Sequence, residues 1–129
     1  MPLVRIEVQQ GRNAMDLQHL ADVVHEVMED VFAAPPGDGY QVLTEHPAGQ
    51  VIAGDSGLGL RRTDDVVILQ IFHQGRSERQ KTAAYQELAL RLEKQCGLSP
   101  SDLIVSMVEN GRSDWSFGEG RAQFLTGEL

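Results

Sequence analysis

Apolar and polar residues alternate from Leu3 to Val8, with Val4, Ile6 and Val8 apolar and Arg5 and Glu7 charged. A period of two predicts a strand with one buried face. Val66 to Phe72 is apolar more continuously, which predicts a strand nearer the centre of a sheet. Each run ends in Gln-Gly-Arg, at Gln10-Gly11-Arg12 and Gln74-Gly75-Arg76. Helical spacing follows. Leu17, Leu20, Ala21, Val24, Val27, Met28, Val31 and Phe32 share one face of a helix expected from about Ala14 to Phe32. Tyr85, Leu88, Ala89, Leu92 and Cys96 make a weaker stripe on a second, from about Glu78 to Cys96. Asn13 and Ser77 suit N-caps, Ser77 with Gln80 fits a capping box, and Gly97 suits a C-terminal stop. Strands return at Tyr40 to Glu45 and Leu103 to Val108.

An offset of 64 residues aligns the landmarks of the two halves. Gln10-Gly11-Arg12 falls on Gln74-Gly75-Arg76, Pro36 on Pro100, Asp38 on Asp102 and Glu45 on Glu109. The chain therefore reads as one domain over 1–129, with internal repeats at about 2–46 and 66–110 and a tail at 111–129. Two β-α-β units predict an α+β fold, an α/β sandwich with a four-stranded mixed sheet and both helices on one face. The other face would be bare, and further copies of the chain would cover it. Gly49 to Arg62 is the connector, with a short strand possible at Val51 to Ala53. The tail carries Trp115, Phe117 and Phe124, so it is expected to dock rather than dangle.

The length of 129 residues suits one small domain, with aliphatic filling because aromatics are 5%. A net charge of −8 disfavours nucleic acid and anionic membrane surfaces. Nine of the 11 basic residues are Arg, and a guanidinium fork can hold a small carboxylate. The one cysteine, Cys96, forms no internal disulfide and suits a reducing cytoplasm. No secretory signal or membrane span is visible in the sequence.

Candidate chemistry begins at Pro2. A small penultimate residue favours removal of Met1, which would make Pro2 the amino terminus. Its nitrogen would be a rigid secondary amine, and α-amino groups titrate near ~7.7–8.0. Such a group can act as acid, base or carbonyl nucleophile. Other motifs carry less. Gly54-Asp55-Ser56-Gly57 lacks the surroundings of a serine hydrolase, and Gly57-Leu58-Gly59 lacks the rest of a phosphate loop. His19, His25, His46 and His73 show no metal-ligand spacing. His73 stands out only because it adjoins the Gln74-Gly75-Arg76 turn.

Several segments together resemble the tautomerase superfamily, and within it the malonate semialdehyde decarboxylase branch. They are Pro2-Leu3, Asp38 with Tyr40-Gln41, Asp55 to Gly59, Cys96 to Pro100, and the run from Asp114 through Leu129. The resemblance implies a homotrimer without metal or organic cofactor. It implies catalytic roles for Pro2, Asp38 and Arg76. Gln74 stands where the family has its first active-site arginine. Trp115, Phe117, Phe124 and Leu129 would wall the pocket, with His73 and Gln74 beside the substrate.

The implied reaction is decarboxylation of malonate semialdehyde to acetaldehyde and carbon dioxide, with Pro2 making the substrate carbonyl an electron sink and Arg76 on the carboxylate. Two alternatives stand beside it. A neutral Pro2 would act as base in keto–enol tautomerisation of a 2-oxo acid such as phenylenolpyruvate, or in hydration or dehalogenation of a three-carbon unsaturated acid. A non-catalytic trimeric binding protein is the other.

Overall fold

The computed structural model describes residues 2–129. Met1, whose removal the sequence reading expects, lies outside the described residues. Strand β1 (Leu3–Gln9) is followed by helix α1 (Ala14–Asp30) and strand β2 (Tyr40–His46). Strand β3 (Val67–Gln74), helix α2 (Glu78–Cys96) and strand β4 (Leu103–Asn110) repeat that order, and a short helix α3 (Gln123–Thr126) ends the chain. The sheet order is β2-β1-β3-β4. β1 runs parallel to β2, β3 parallel to β4, and β1 antiparallel to β3. This is the four-stranded mixed sheet that two β-α-β units predict.

Local chemistry explains the elements. The Asn13 side chain accepts the Asp16 amide at 2.8 Å, capping α1. Ser77 and Gln80 form a reciprocal capping box on α2. Gly97 closes α2 in the left-handed region at φ +69°, where a Cβ would be strained.

The strand period sorts residues between the faces. Val4, Ile6 and Val8 of β1 and Val67, Leu69 and Ile71 of β3 are buried beneath the helices. They pack with Leu20, Val23, Val24, Val27 and Met28 of α1 and Ala84, Leu88 and Leu92 of α2. Each full burial of a large aliphatic side chain contributes about 1.5–3 kcal/mol, so this core holds both helices to one face. The opposite face presents Arg5, Gln70 and Ser106 in one exposed cross-strand row. Tyr40, Val42 and Val108 are about half exposed there.

Three expectations change. Helix α1 ends at Asp30 rather than Phe32. The Phe32 amide reaches back to Val27 O and the Ala34 amide to Met28 O, and Ala33 takes φ +59°. Phe32 remains fully buried, so the apolar stripe outlasts the helical backbone. Val51 to Ala53 form no strand. The connector is instead fastened by Asp102, whose buried carboxylate accepts the Thr63 amide at 2.7 Å and the Thr63 hydroxyl at 2.5 Å. Tyr85 is partly exposed rather than core, and Ala84 takes the buried position.

Candidate active site

Pro2 precedes β1 and is buried. Its carbonyl accepts the Tyr40 amide at 3.1 Å, which joins the start of β1 to the start of β2. Pro36-Gly37 forms a tight turn just before, with Gly37 at φ +71° and the Asp38 amide donating to Pro35 O at 3.0 Å. A Pro-Gly pair at the turn's centre is the type II signature. Asp38, half-buried at the end of that turn, is thus two residues from the position bonded to Pro2.

A cavity of about 480 Å³ opens at this end of the sheet, on the face away from the helices. Leu3, Tyr40, Phe72, Asn110, Asp114, Trp115, Ser116 and Phe117 line it. Leu3, Tyr40 and Phe72 occupy one cross-strand row. The tail supplies the wall. Trp115 stacks on Phe117 with centroids 5.5 Å apart, and Phe117 stacks on Tyr40 at 6.0 Å. Phe124 meets Phe117 edge-on at 5.4 Å. The Trp115 indole N–H donates to Asn110 Oδ1 at 2.7 Å. The Arg112 guanidinium donates to Phe124 O and sits over its ring. The apolar wall is therefore anchored by polar contacts at its edges.

The Gly75-Arg76 turn follows β3 directly. Gln74, the last residue of β3, pairs in register with Asn110. Strand alternation puts it on the same face as Phe72. Arg76 Nε donates to Phe32 O at 2.6 Å, and Nη1 donates to Gln74 O at 2.7 Å. The guanidinium also lies 5.1 Å from the Phe32 ring centroid. Among the described residues Nη2 makes no hydrogen bond.

The expected residues are not all brought together. Trp115 and Phe117 line the cavity and Phe124 packs edge-on against Phe117, whereas Pro2, Asp38, Gln74 and Arg76 are not among the lining residues. Leu129 is 59% exposed and is not part of the lining. His73 alternates to the helix side of β3, is 1% exposed and packs edge-on against Phe32 at 5.2 Å. Neither of its ring nitrogens has a hydrogen-bond partner. Burial is the main force holding its pKa below the ordinary 6.5, and the Lys81 charge adds to it. The structure thus sets His73 in the core, away from the cavity wall. Conversely, Leu3, Tyr40, Phe72 and Asn110 line the cavity without having been singled out as site residues. The available signal was position, since Leu3 and Tyr40 begin their strands and Phe72 and Asn110 lie near the ends of theirs, which the topology brings to one end of the sheet.

Among the described residues no three His, Cys, Asp or Glu side chains gather as metal ligands. No described helix is long and apolar enough to cross a membrane.

Comparison with known proteins places this arrangement. Two family models described as "Tautomerase enzyme" match residues 38–118 and 2–61. The chain is 47% identical over 129 residues to "Probable tautomerase YrdN" of Bacillus subtilis (strain 168), covering 100% of both chains. A crystal structure of malonate semialdehyde decarboxylase, described with decarboxylase and hydratase activities, superposes with a TM-score of 0.95 at 43% identity, covering 98% of each chain. A second, FG41 malonate semialdehyde decarboxylase inhibited by 3-bromopropiolate, has a TM-score of 0.93 at 38% identity, covering 98% of this chain and 97% of that one. The chain belongs to the tautomerase superfamily, in the branch that includes malonate semialdehyde decarboxylase.

Proposed function

We propose that the protein is a cofactor-free decarboxylase of malonate semialdehyde, using Pro2 as its amino-terminal residue after loss of Met1. The observation that carries the reading is the aromatic-walled cavity at the Pro2 end of β1. A protonated Pro2 amine donates a hydrogen bond to the aldehyde oxygen, or adds to the carbonyl as an iminium ion. Either way the carbonyl becomes an electron sink. Asp38 favours the cationic amine. In this reading Arg76 and Gln74 hold the carboxylate, Arg76 through Nη2 and its charge. The C–C bond breaks, carbon dioxide leaves, and its electron pair forms an enolate or enamine. A proton returns to carbon and acetaldehyde is released. The apolar wall of Trp115 and Phe117 raises the energy of the bound carboxylate relative to the transition state, in which its charge spreads.

A homotrimer belongs to this reading. The half-exposed Tyr40, Val42 and Val108 on the open sheet face support it, because neighbouring copies would cover them. A cytoplasmic location is consistent with the lone Cys96.

Keto–enol tautomerisation, or hydration of an unsaturated three-carbon acid, is the second reading. The name of the YrdN relative favours it, as does the hydratase activity described for the structural neighbour. In both reactions Pro2 would work as a neutral base. The test begins with intact mass to establish Met1 loss. Acetaldehyde and carbon dioxide are then measured from malonate semialdehyde with wild type and Pro2→Ala. Fast turnover that collapses in the variant supports decarboxylation. No turnover above background by processed wild type overturns it and moves phenylenolpyruvate to first place.

A further inference from the structure

Glu29 is an acid in the last turn of α1, a turn that contains no basic residue. A carboxylate there opposes the helix dipole. Asp30, in the same turn, is paired with Arg91 at 2.8 Å. Glu29 has different partners. Its Oε2 accepts the Gly37 amide at 2.9 Å across eight residues of chain. The same oxygen lies 3.5 Å from Nε2 of His25, one helical turn earlier.

These contacts surround one residue. Gly37 is the third position of the Pro35–Asp38 turn, and a type II turn leaves that amide outside its own hydrogen bond. Glu29 occupies it. Gly39, on the other side of Asp38, rests on the His25 ring. A Cβ built at Gly39 would lie 3.4 Å from His25 Cε1, 3.5 Å from Nδ1 and 3.8 Å from Pro2 O. Tyr40 then bonds the Pro2 carbonyl. Asp38 is therefore bracketed by Glu29 at Gly37, by His25 at Gly39, and by Pro2 at Tyr40. Both clamping side chains are only about a third exposed, at 33% for His25 and 28% for Glu29, so helix α1 holds them in place.

We infer that His25 and Glu29 are positioning residues that fix the Gly37-Asp38-Gly39 segment and so set the distance between the Asp38 carboxylate and the Pro2 amine. The inference rests on the proposed roles of Asp38 and Pro2. Neither clamping residue touches substrate. Glu29 acts through a backbone amide, and His25 acts by contact with Gly39 and by steadying Glu29. A Cβ at Gly39 would meet the imidazole at ordinary van der Waals distance, so a side chain that extends beyond Cβ would press on the ring.

The experiment compares Glu29→Ala, Glu29→Gln, Gly39→Leu and the double variant Gly39→Leu/His25→Ala with wild type, measuring kcat, KM, Tm and the Pro2 amine pKa by ¹⁵N NMR. A displaced catalytic group typically costs on the order of 10- to 100-fold. Glu29→Ala should lower kcat by about that factor, leave KM within about twofold, and bring the Pro2 pKa down toward the value in Asp38→Asn. Glu29→Gln keeps an oxygen for the Gly37 amide and should recover most of the loss. Gly39→Leu should lower kcat, and removing the His25 ring in the double variant should restore part of it. Unchanged kcat and Pro2 pKa in Glu29→Ala, or a lower Tm alone, would overturn the inference. So would a double variant no better than Gly39→Leu. Pro2→Ala and Asp38→Asn serve as controls. If both stay fully active, the proposed chemistry is wrong. If both collapse while Glu29→Ala does not, only the positioning role fails.

Discussion

Arg76 Nε donates a 2.6 Å hydrogen bond to the carbonyl of Phe32, just beyond the end of α1. With Nη1 on Gln74 O, two of three guanidinium nitrogens are committed to backbone. The residue ties the turn after β3 to the segment that follows α1. A lysine in its place keeps the charge but not the fork. Arg76→Lys should lower kcat/KM by about 100-fold and stability by about 1–3 kcal/mol. Steady-state kinetics and urea unfolding check the two effects separately.

Trp115 is the only tryptophan, so its fluorescence reports directly on the cavity wall. Asn110→Ala removes the acceptor of its indole N–H and should cost about 1 kcal/mol. The emission should shift to the red as the ring loosens, and KM should rise several-fold. An unshifted spectrum would show that stacking on Phe117 alone holds the ring.

His73 is buried with its pKa below the ordinary 6.5. The unfolded chain therefore binds a proton more readily than the folded one. His73 costs stability as pH falls below about 6.5, and the cost levels off beneath its folded pKa. His73→Phe keeps a ring against Phe32 and removes the titration. The Tm difference between pH 8 and pH 5 should be smaller in the variant than in wild type. Thermal melts across that range decide it, and an equal difference would sink the assignment.

Asp102 holds the connector through two short bonds from Thr63. Asp102→Ala removes the carboxylate that accepts the Thr63 amide and hydroxyl and should destabilise by about 1.5–3 kcal/mol. The turnover of the folded fraction should stay near wild type, because this contact belongs to the connector and η-turn before β4 rather than to the cavity. Guanidinium unfolding alongside activity per folded molecule tests both halves.

Local signals were legible where one short segment determines the outcome. Asn13, Ser77 with Gln80, and Gly97 announce helix ends because caps act within a few residues. The sheet followed from the aligned turns and the strand period. The overrun of α1 has a physical cause, since Val31 and Phe32 continue the apolar stripe after the hydrogen-bond pattern has changed. Val51 to Ala53 look like a strand in composition but find no neighbour to pair with. In the candidate site, Trp115 and Phe117 came from the tail's resemblance to a family. The partners of Arg76 and the inward turn of His73 both depend on Phe32, more than 40 positions away in sequence. No local pattern encodes such a contact.

The Asp102–Thr63 clamp has a consequence for how a duplicated unit divides its labour. Asp102 is the counterpart of Asp38, and Val66 the counterpart of Pro2, at the 64-residue offset. A free backbone amine exists only at a polypeptide's beginning, and position 66 lies mid-chain, its nitrogen locked in an amide. That half of the molecule cannot host amine chemistry whatever side chains surround it. On the proposed reading, Asp102 has no amine to influence and can be buried as a fastener, while its counterpart Asp38 stays half-buried on a turn. One half would then carry the reaction and the other the cohesion.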